Sequence, residues 1–274
     1  MRVVILCPSL YSETTCALAV RLAQLGYGPA GALTLPSFHL GTLTRKVGQW
    51  GVREVARYAR TKLFPSPGAD TVVRNPYLRP FLQHEAGSYR SLRQVAACYG
   101  FPIVVCKDHN APAAIAQLND WSPDLTIFTG GKILRKPLLR VPRLGVLNAH
   151  LGLLPEIRGM SSPEWSLLTS VPVGVTVHYI DEGIDTGPIL RRREFPDVGH
   201  CTSLDDLRNR LIARGIEMIG EVVTALDRGT ISARPQSEID QDTQYFVMHE
   251  WLQSQAAQRL KTPEVAAAAV RSHG

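Results

Sequence analysis

Two polar side chains stand at alternate positions in VLNAHLGLLPEIRG, residues 146–159, where an apolar run ends. In an extended segment, residues two positions apart lie on one face, so Asn148 and His150 point the same way. An amide and an imidazole on one face can both donate hydrogen bonds to an oxygen atom that is gaining negative charge. The pair therefore predicts a site for acyl transfer.

A carboxylate that could complete this site lies in VHYIDEGIDTGPI, residues 177–189. Gly183 and Gly187 allow the segment to turn sharply, and Asp185 lies between them. Asp185 can orient His150 or accept a proton from an attacking amine. The sequence offers no activated Ser or Cys nucleophile, so we expect the acceptor substrate to attack directly. Taken one by one, the three residues could equally be a turn Asn, a core His and a turn Asp.

The elements that must hold these residues alternate between strands and helices. This rhythm predicts an α/β fold with a doubly wound, mostly parallel sheet. In such a sheet, ligands bind beyond the carboxyl ends of the strands, where Asn148 and His150 lie. The predicted strands are residues 2–7, 29–35, 101–106, 123–130, 144–150 and 173–180; the main predicted helices are residues 13–26, 91–100, 110–121, 162–170 and 203–229. Asn110 is the predicted N-cap of its helix.

The chain divides into a predicted catalytic domain, residues 1–230, and a C-terminal extension, residues 231–274. Residues 36–90 interrupt the α/β rhythm and form a predicted insertion with basic helices over residues 45–64. Within the extension, residues 244–260 are expected to form a helix that packs on the core.

Composition limits the class of protein. The chain has 274 residues, 45% of them hydrophobic, which is enough for a sizeable core. No apolar run approaches the roughly 18 residues that span a bilayer, and the short apolar run before Pro8 is unlike a signal peptide. We therefore expect a cytoplasmic protein. Five cysteines, an odd number without a C-x-x-C spacing, indicate reduced thiols and neither a disulfide framework nor a zinc site.

Positive charge is concentrated in the first part of the chain. Residues 1–110 carry 13 Lys and Arg against 5 Asp and Glu, whereas residues 111–274 carry 17 against 19. This distribution suits an anionic partner such as a phosphate-bearing substrate, a folate tail or a nucleic acid. It suits an ordinary solvated basic surface equally well.

The two quoted segments together resemble the formyltetrahydrofolate-dependent formyltransferase family. The family signature is N-x-H-x-S-L-L-P-x-x-x-G, followed about 30 residues later by D-x-G-x-x-[IL]. The family includes glycinamide ribonucleotide, methionyl-tRNA and nucleotide-sugar formyltransferases. The resemblance is good over residues 95–230, extends to residues 1–35 in rhythm, and is poor over residues 36–90. It implies a Rossmann-like fold and 10-formyltetrahydrofolate as the formyl donor, with no metal.

Several site residues are implied by this resemblance. Asn148, His150 and Asp185 match the catalytic positions, and His178 and Arg158 match positions that line the site. For Arg158, a role in shaping the loop is an equal alternative. For Ile127, Ile133 and Leu134, which belong to the folate-binding set given next, packing in the core is an equal alternative. The implied folate-binding residues are Ile127, Lys132, Ile133, Leu134, Asp181 and Gly183. One departure is Gly152, which stands where the family pattern has Ser.

The acceptor is the least determined part of this interpretation. The 89 residues after Asp185 leave no room for the barrel domain that methionyl-tRNA formyltransferases append, so no tRNA partner is expected. The deformylating hydrolases of the family are disfavoured, because the α/β rhythm begins at residue 2. The insertion, with Trp50, Tyr58 and several Arg and Lys residues, suits a small anionic amine such as a nucleotide-linked amino sugar. An amine of specialised metabolism is the alternative. No membrane partner is expected, and a homodimer is the candidate assembly.

Two other classes of protein compete with this interpretation. A catalytically silent relative could bind folate, although the intact Asn, His and Asp set favours an enzyme. A nucleotide-binding dehydrogenase would share the sheet, but its glycine-rich G-x-G-x-x-G turn is missing after the first strand.

Overall fold

A seven-stranded sheet forms the centre of the molecule. The computed structural model describes residues 1–36, 73–84, 87–169, 171–236 and 244–262. The basic helices predicted within residues 45–64, with Trp50 and Tyr58, lie outside the described residues. The strands of the sheet are β1 (Val3–Cys7), β2 (Gly31–Thr34), β5 (Ile103–Val105), β6 (Leu125–Phe128), β7 (Gly145–His150), β9 (Gly174–Tyr179) and β10 (Ile189–Glu194).

Five strands pair in parallel, and antiparallel pairing adds β9 and β10 at one edge. The spatial order is β10-β9-β7-β6-β1-β2-β5. β5, β2, β1, β6 and β7 run parallel, while β9 pairs antiparallel with both β7 and β10. The predicted α/β class with a mostly parallel sheet is therefore confirmed. The order also places the carboxyl ends of β6 and β7 side by side, and the functional residues cluster around the end of β7.

Helices cover both faces of the sheet, which explains why β1 has no polar residue. All five of its residues, VVILC, are buried. Val3 and Ile5 belong to the core beneath one layer of helices, and Val4 and Leu6 belong to the core beneath the other. Alternate residues of a strand face opposite sides, so a strand covered on both faces is apolar throughout.

The helices lie close to where the sequence predicts them. Helix α1 begins after Ser12 and the long helix α7 begins after Ser203, and in each case the Ser hydroxyl accepts a backbone N–H of the first turn. The helices of the described residues are α1 (Glu13–Gln24), α2 (Arg79–Leu82), α3 (Leu92–Tyr99), α4 (Pro112–Trp121), α5 (Lys136–Leu139), α6 (Ser162–Thr169), α7 (Leu204–Asp227) and α8 (Glu250–Arg259).

The predicted N-cap Asn110 is a correction. Helix α4 is capped by Ala111, without a side-chain hydrogen bond. The Asn110 side chain instead donates to the carbonyl of Ile133 and accepts the N–H of Arg135. Sequence spacing could not reveal this, because the partners lie more than 20 residues away.

The segment after α7 returns to the sheet. Arg234 forms an antiparallel bridge with Ile189, and the short strand β11 (Gln244–Tyr245) pairs with β8 (Arg158–Gly159). Helix α8 then packs against α6, as expected for part of residues 244–260. The remaining strands, β3 (Gln83–His84) and β4 (Gly87–Ser88), form a separate two-residue pairing. Within the described ranges, no helix is both long and apolar enough to cross a membrane.

Candidate active site

The ends of β7 and β9 bring three predicted residues together. Because these strands are antiparallel, Asn148 is paired directly with His178. The Asn148 Nδ2 atom lies 3.5 Å from the His178 Nε2 atom. His150 is two residues further along β7 and is buried on the same face. The alternation noted in the sequence therefore produces one cluster.

Asp185 reaches both histidines. Its Oδ2 atom lies 3.4 Å from His150 Nδ1, and its Oδ1 atom lies 3.6 Å from His178 Nε2. The backbone N–H of Gly159 donates to Oδ2 at 2.9 Å. Asp185 has a φ of 55°, a left-handed conformation that short polar residues tolerate better than most. The loop thus turns this carboxylate back towards β7.

The tautomer of His150 follows from its neighbours. Its Nε2 atom lies 2.7 Å from the carbonyl oxygen of Ile157, which can only accept, so this nitrogen carries a hydrogen. The Ser162 hydroxyl lies 3.2 Å from the same nitrogen. Nδ1 faces Asp185, so His150 can act on a substrate only through this second nitrogen.

His178 is neutral at physiological pH. Its pKa is lowered to about 4, mainly by burial and to a smaller extent by His150, and the opposing effect of Asp185 is smaller than that of burial. Nδ1 lies 2.8 Å from the Tyr179 carbonyl and must donate to it, which leaves Nε2 without a hydrogen. Two acceptors, this Nε2 atom and Asp185 Oδ1, therefore face each other. A donor such as a substrate N–H would bridge them.

A cleft gives access to Asn148. It has a volume of about 260 Å³ and lies between α1, α7 and the ends of β6 and β7. Most of its lining is apolar, and two threonines add hydroxyls; the lining includes Thr14, Leu18, Phe128, Thr129, Leu151 and Ile212. Apolar walls with a few polar groups are typical of sites for small organic molecules.

The implied folate-binding residues of β6 and its following loop are dispersed. Ile127 is fully buried in one core and Leu134 is buried in the other, so both pack as core residues. Ile133, by contrast, is 69% exposed. Lys132 forms an ion pair of 3.0 Å with Asp108, whose pKa is lowered to about 2 mainly by the Asn110 backbone N–H and by Lys132.

Asp181 and Gly183 shape the turn that carries Asp185. The Asp181 Oδ1 atom accepts the Gly183 N–H at 3.1 Å and the Thr186 hydroxyl at 2.6 Å. A Cβ atom at Gly183 would collide with the Thr186 side chain, and one at Gly187 would collide with the Tyr179 carbonyl. Both glycines are needed for the turn itself, whichever ligand it faces.

Two residues that the sequence analysis missed contact the cluster. Ser162 approaches His150, and Gln236 contacts the backbone of Asp185. Gln236 also accepts hydrogen bonds from Arg158, whose side chain is buried. Gln236 lies 51 residues after Asp185, and no local spacing could have connected the two.

The fold and the cluster define a class. A mostly parallel α/β sheet carries an amide, two imidazoles and a carboxylate at its carboxyl edge, a set suited to transferring a carbonyl group to an amine. Residues 105–223 match the family model described as formyl transferase. The match confirms, over these residues, the resemblance drawn from the sequence.

Curated relatives are about one third identical to this chain over about half of its length. The methionyl-tRNA formyltransferase of Thermodesulfovibrio yellowstonii is 33% identical over 148 residues, which are 53% of this chain and 48% of that protein. That of Roseiflexus castenholzii is 35% identical over 147 residues, 53% of this chain and 47% of that protein. The chain spans about half the length of the curated relatives it matches.

Solved structures share the fold over most of the chain. Glycinamide ribonucleotide transformylase 1 from Symbiobacterium toebii superposes with a TM-score of 0.56 at 18% identity, covering 86% of this chain and 95% of that one. A sugar N-formyltransferase from a Shewanella species superposes with a TM-score of 0.53 at 14% identity, covering 95% of this chain and 87% of that one. At these identities the likeness concerns the fold alone.

The expectation that no tRNA is a partner is contradicted. The curated relatives described above, and others at 30–32% identity, are methionyl-tRNA formyltransferases. The expectation depended on the number of residues after Asp185, and that number does not decide which amine reaches the site.

Proposed function

We propose that the protein is an N-formyltransferase that moves a formyl group from 10-formyltetrahydrofolate to a primary amine. The observation that carries this proposal is the cluster of Asn148, His150, His178 and Asp185 at the carboxyl edge of the sheet. Its members are held by contacts from two strands and a turn. The match of residues 105–223 to the formyl transferase family model supports the same reaction.

Each member of the cluster has a role in the proposed reaction. The Asn148 amide donates to the formyl oxygen as negative charge develops on it. Since Nε2 already donates to Ile157, His150 adds a second donor through Nδ1 only as an imidazolium, the form that the facing Asp185 carboxylate stabilises. The Asp185 carboxylate accepts the proton that the attacking amine loses, and neutral His178 Nε2 orients the same amine by accepting another of its hydrogens.

The chemistry of the described residues fits a folate donor. When bound, 10-formyltetrahydrofolate supplies a formyl group on a nitrogen that can leave. Exposed Ile133 offers an apolar contact, and the turn over residues 181–186, which contains Asp185, offers backbone polar groups. Contacts of these two kinds suit a flat heterocycle. In this proposal Ile127 and Leu134 support the slot from the core, and Lys132, Asp181 and Gly183 shape its wall.

For the acceptor, we propose a nucleotide-linked amino sugar, with an amine of specialised metabolism as the alternative. An exposed aromatic and apolar surface lies next to the site, because Tyr245 pairs with Gly159, the residue whose N–H contacts Asp185. Phe246 and Trp251 on this surface are 70% and 64% exposed. Exposed aromatic rings of this kind can stack on a nucleotide base.

Methionyl-tRNA is a second candidate acceptor. The observation that favours it is sequence identity of 30–35% to methionyl-tRNA formyltransferases over about half of this chain. Both acceptors present a primary amine, so the cluster itself would treat them alike. A silent folate-binding protein is the outcome if neither amine is formylated.

We also propose that residues 1–230 form the catalytic domain, with the insertion at residues 36–90, and that residues 231–274 are an extension. The cytoplasmic location and the homodimer stay predictions.

Activity with defined acceptors tests the proposal. The full chain would be incubated with 10-formyltetrahydrofolate in three arms, which contain nucleotide-linked amino sugars, small amines and methionyl-tRNA. Formylated product from one arm, dependent on the folate, identifies the acceptor class. If the protein binds 10-formyltetrahydrofolate but forms no product in any arm, the silent relative is the better description. If it does not bind the folate, the proposal is contradicted.

A further inference from the structure

Gln236 joins the backbone of Asp185 to a buried arginine. Its Nε2 atom donates to the carbonyl oxygen of Asp185 at 2.9 Å and to that of Gly187 at 2.7 Å. Its Oε1 atom accepts from Arg158 Nε at 3.3 Å and Nη2 at 3.1 Å. One amide side chain therefore uses both of its hydrogens on the Asp185 turn and its oxygen on β8.

These contacts bear on the distance between Asp185 and His150. Arg158 precedes Gly159, whose N–H donates to Asp185 Oδ2, and it follows Ile157, whose carbonyl accepts from His150 Nε2. The two neighbours of Arg158 thus each hold a different member of the cluster through the backbone: Ile157 holds His150, and Gly159 holds Asp185. By linking Arg158 to the turn, Gln236 fixes the turn relative to the strand that positions both His150 and Asp185.

The position of Gln236 in the chain adds to this argument. It lies after α7 and beyond residue 223, where the match to the formyl transferase model ends. The segment that contains it is held to the sheet by the bridge between Arg234 and Ile189. Asp185 lies in a left-handed conformation within a turn, and a turn of this kind keeps its geometry only when its surroundings fix it.

We propose that Gln236 is a positioning residue for formyl transfer and acts through Asp185. This inference rests on the proposed function. The Gln236 side chain bonds the buried Arg158 side chain and the Asp185 end of the turn, and none of the implied folate-binding residues. Replacing Gln236 should therefore lower turnover far more than it lowers the affinity for the folate donor. A displacement of about 1 Å in a reacting group can cost about 10²-fold in rate, which sets the size of the effect.

The test is a double-mutant cycle with a matched control. Gln236→Met, which keeps the length and removes every side-chain hydrogen bond, should lower kcat by about 10²-fold and change the KM for the folate by far less. In an Asp185→Asn background the same substitution should have almost no further effect, because the group it positions is gone. Gln253→Met removes a comparable side-chain bond, to the Met248 carbonyl, and should keep the wild-type rate.

A second substitution covers the case in which Gln236→Met does not fold. Gln236→Glu keeps the acceptor for Arg158 and loses both donors to the turn, so it should fold and still show the reduced kcat. The inference is overturned if Gln236→Glu or Gln236→Met keeps the wild-type kcat. It is equally overturned if the loss is as large with Asn at position 185 as with Asp.

An activity-independent readout separates this inference from the proposed function. Hydrogen exchange measured by mass spectrometry should be faster over residues 182–188 and at the Gly159 amide in Gln236→Met, and unchanged there in Gln253→Met. An inactive wild-type protein with this exchange pattern would contradict the proposed function while keeping Gln236 as the residue that holds the turn. Unchanged exchange in Gln236→Met would overturn the inference even if the enzyme is active.

Discussion

Replacing Gly152 by serine is predicted to displace His150. A Cβ atom at this position would lie 2.9 Å from His150 Nε2, 3.0 Å from the Ser162 Cβ atom and 3.1 Å from the Ile157 carbonyl oxygen. All three distances are shorter than 3.4 Å, the lower limit of ordinary contact. Since the carbonyl is backbone, the histidine ring and Ser162 are the groups that must move.

The contact distances give the size of the effect. To restore ordinary contact, the ring has to retreat by roughly 0.5 Å, and crowding of this kind in a packed interior costs about 1–3 kcal/mol. A shift of half an ångström at a reacting group should lower turnover by about tenfold, given that about 1 Å costs about 10²-fold. Gly152→Ser should therefore show a lower Tm together with a kcat reduced by about one order of magnitude.

Moving the hydroxyl group from position 162 to position 152 tests whether crowding causes the loss of turnover. In Gly152→Ser combined with Ser162→Gly, the crowding Cβ at position 162 is removed and a hydroxyl is again available near His150 Nε2. The double variant should recover most of the lost kcat relative to Gly152→Ser alone. The steady-state formylation rate and thermal unfolding are the two assays. A Gly152→Ser variant with wild-type kcat and Tm would refute the reasoning, since the crowding would then have no consequence.

Three further outcomes are expected. Asn148→Ala should lower kcat by about 10²–10³-fold while folate still binds. Asn119→Ala, on the surface of α4, should leave kcat unchanged, and a rate assay with both variants decides this. His178 has its pKa lowered to about 4 from an ordinary 6.5, so the unfolded chain binds its proton first and stability should fall by about 3 kcal/mol between pH 7 and pH 4. Denaturant unfolding at both pH values should show a smaller difference in His178→Gln, and an equal difference would argue against a buried neutral imidazole. Alkylation of the native protein, followed by mass spectrometry, should modify exposed Cys98 first. Burial raises the pKa values of Cys7, Cys16 and Cys201 to about 11, 12 and 11, so these three thiols should react only after unfolding.

The sheet could be predicted because burial on both faces leaves a direct trace in the sequence. VVILC and VGVTVHYI are read as strands from composition and alternation, and each observed strand lies within the predicted range. Helix α7 was equally clear, since Ser203 caps a long periodic segment. The N-cap at Asn110 failed because an Asn in that position has several partners to choose from. Here the side chain bonds the carbonyl of Ile133 and the N–H of Arg135, and Ala111 caps the helix.

The candidate site was predictable where its members share a strand or a short turn. Asn148 and His150 are two residues apart, and the antiparallel register of β7 and β9 then brings His178 opposite Asn148. Ser162 and Gln236 were missed because their contacts depend on tertiary packing and carry no spacing signal. The sequence could not decide between ligand contact and core packing for Ile127 and Leu134. An apolar residue at a strand end has the same pattern in both cases.

The most direct test of the central claim is a mass-spectrometric formylation assay with Asp185→Asn as control. The full chain would be incubated with 10-formyltetrahydrofolate and each acceptor class in turn, including nucleotide-linked amino sugars and methionyl-tRNA. We expect an acceptor whose mass has increased by one formyl group in place of a hydrogen, with both proteins binding folate. The wild-type protein should form this product readily and the variant at a strongly reduced rate. Equal product from wild type and Asp185→Asn would contradict the role given to this carboxylate.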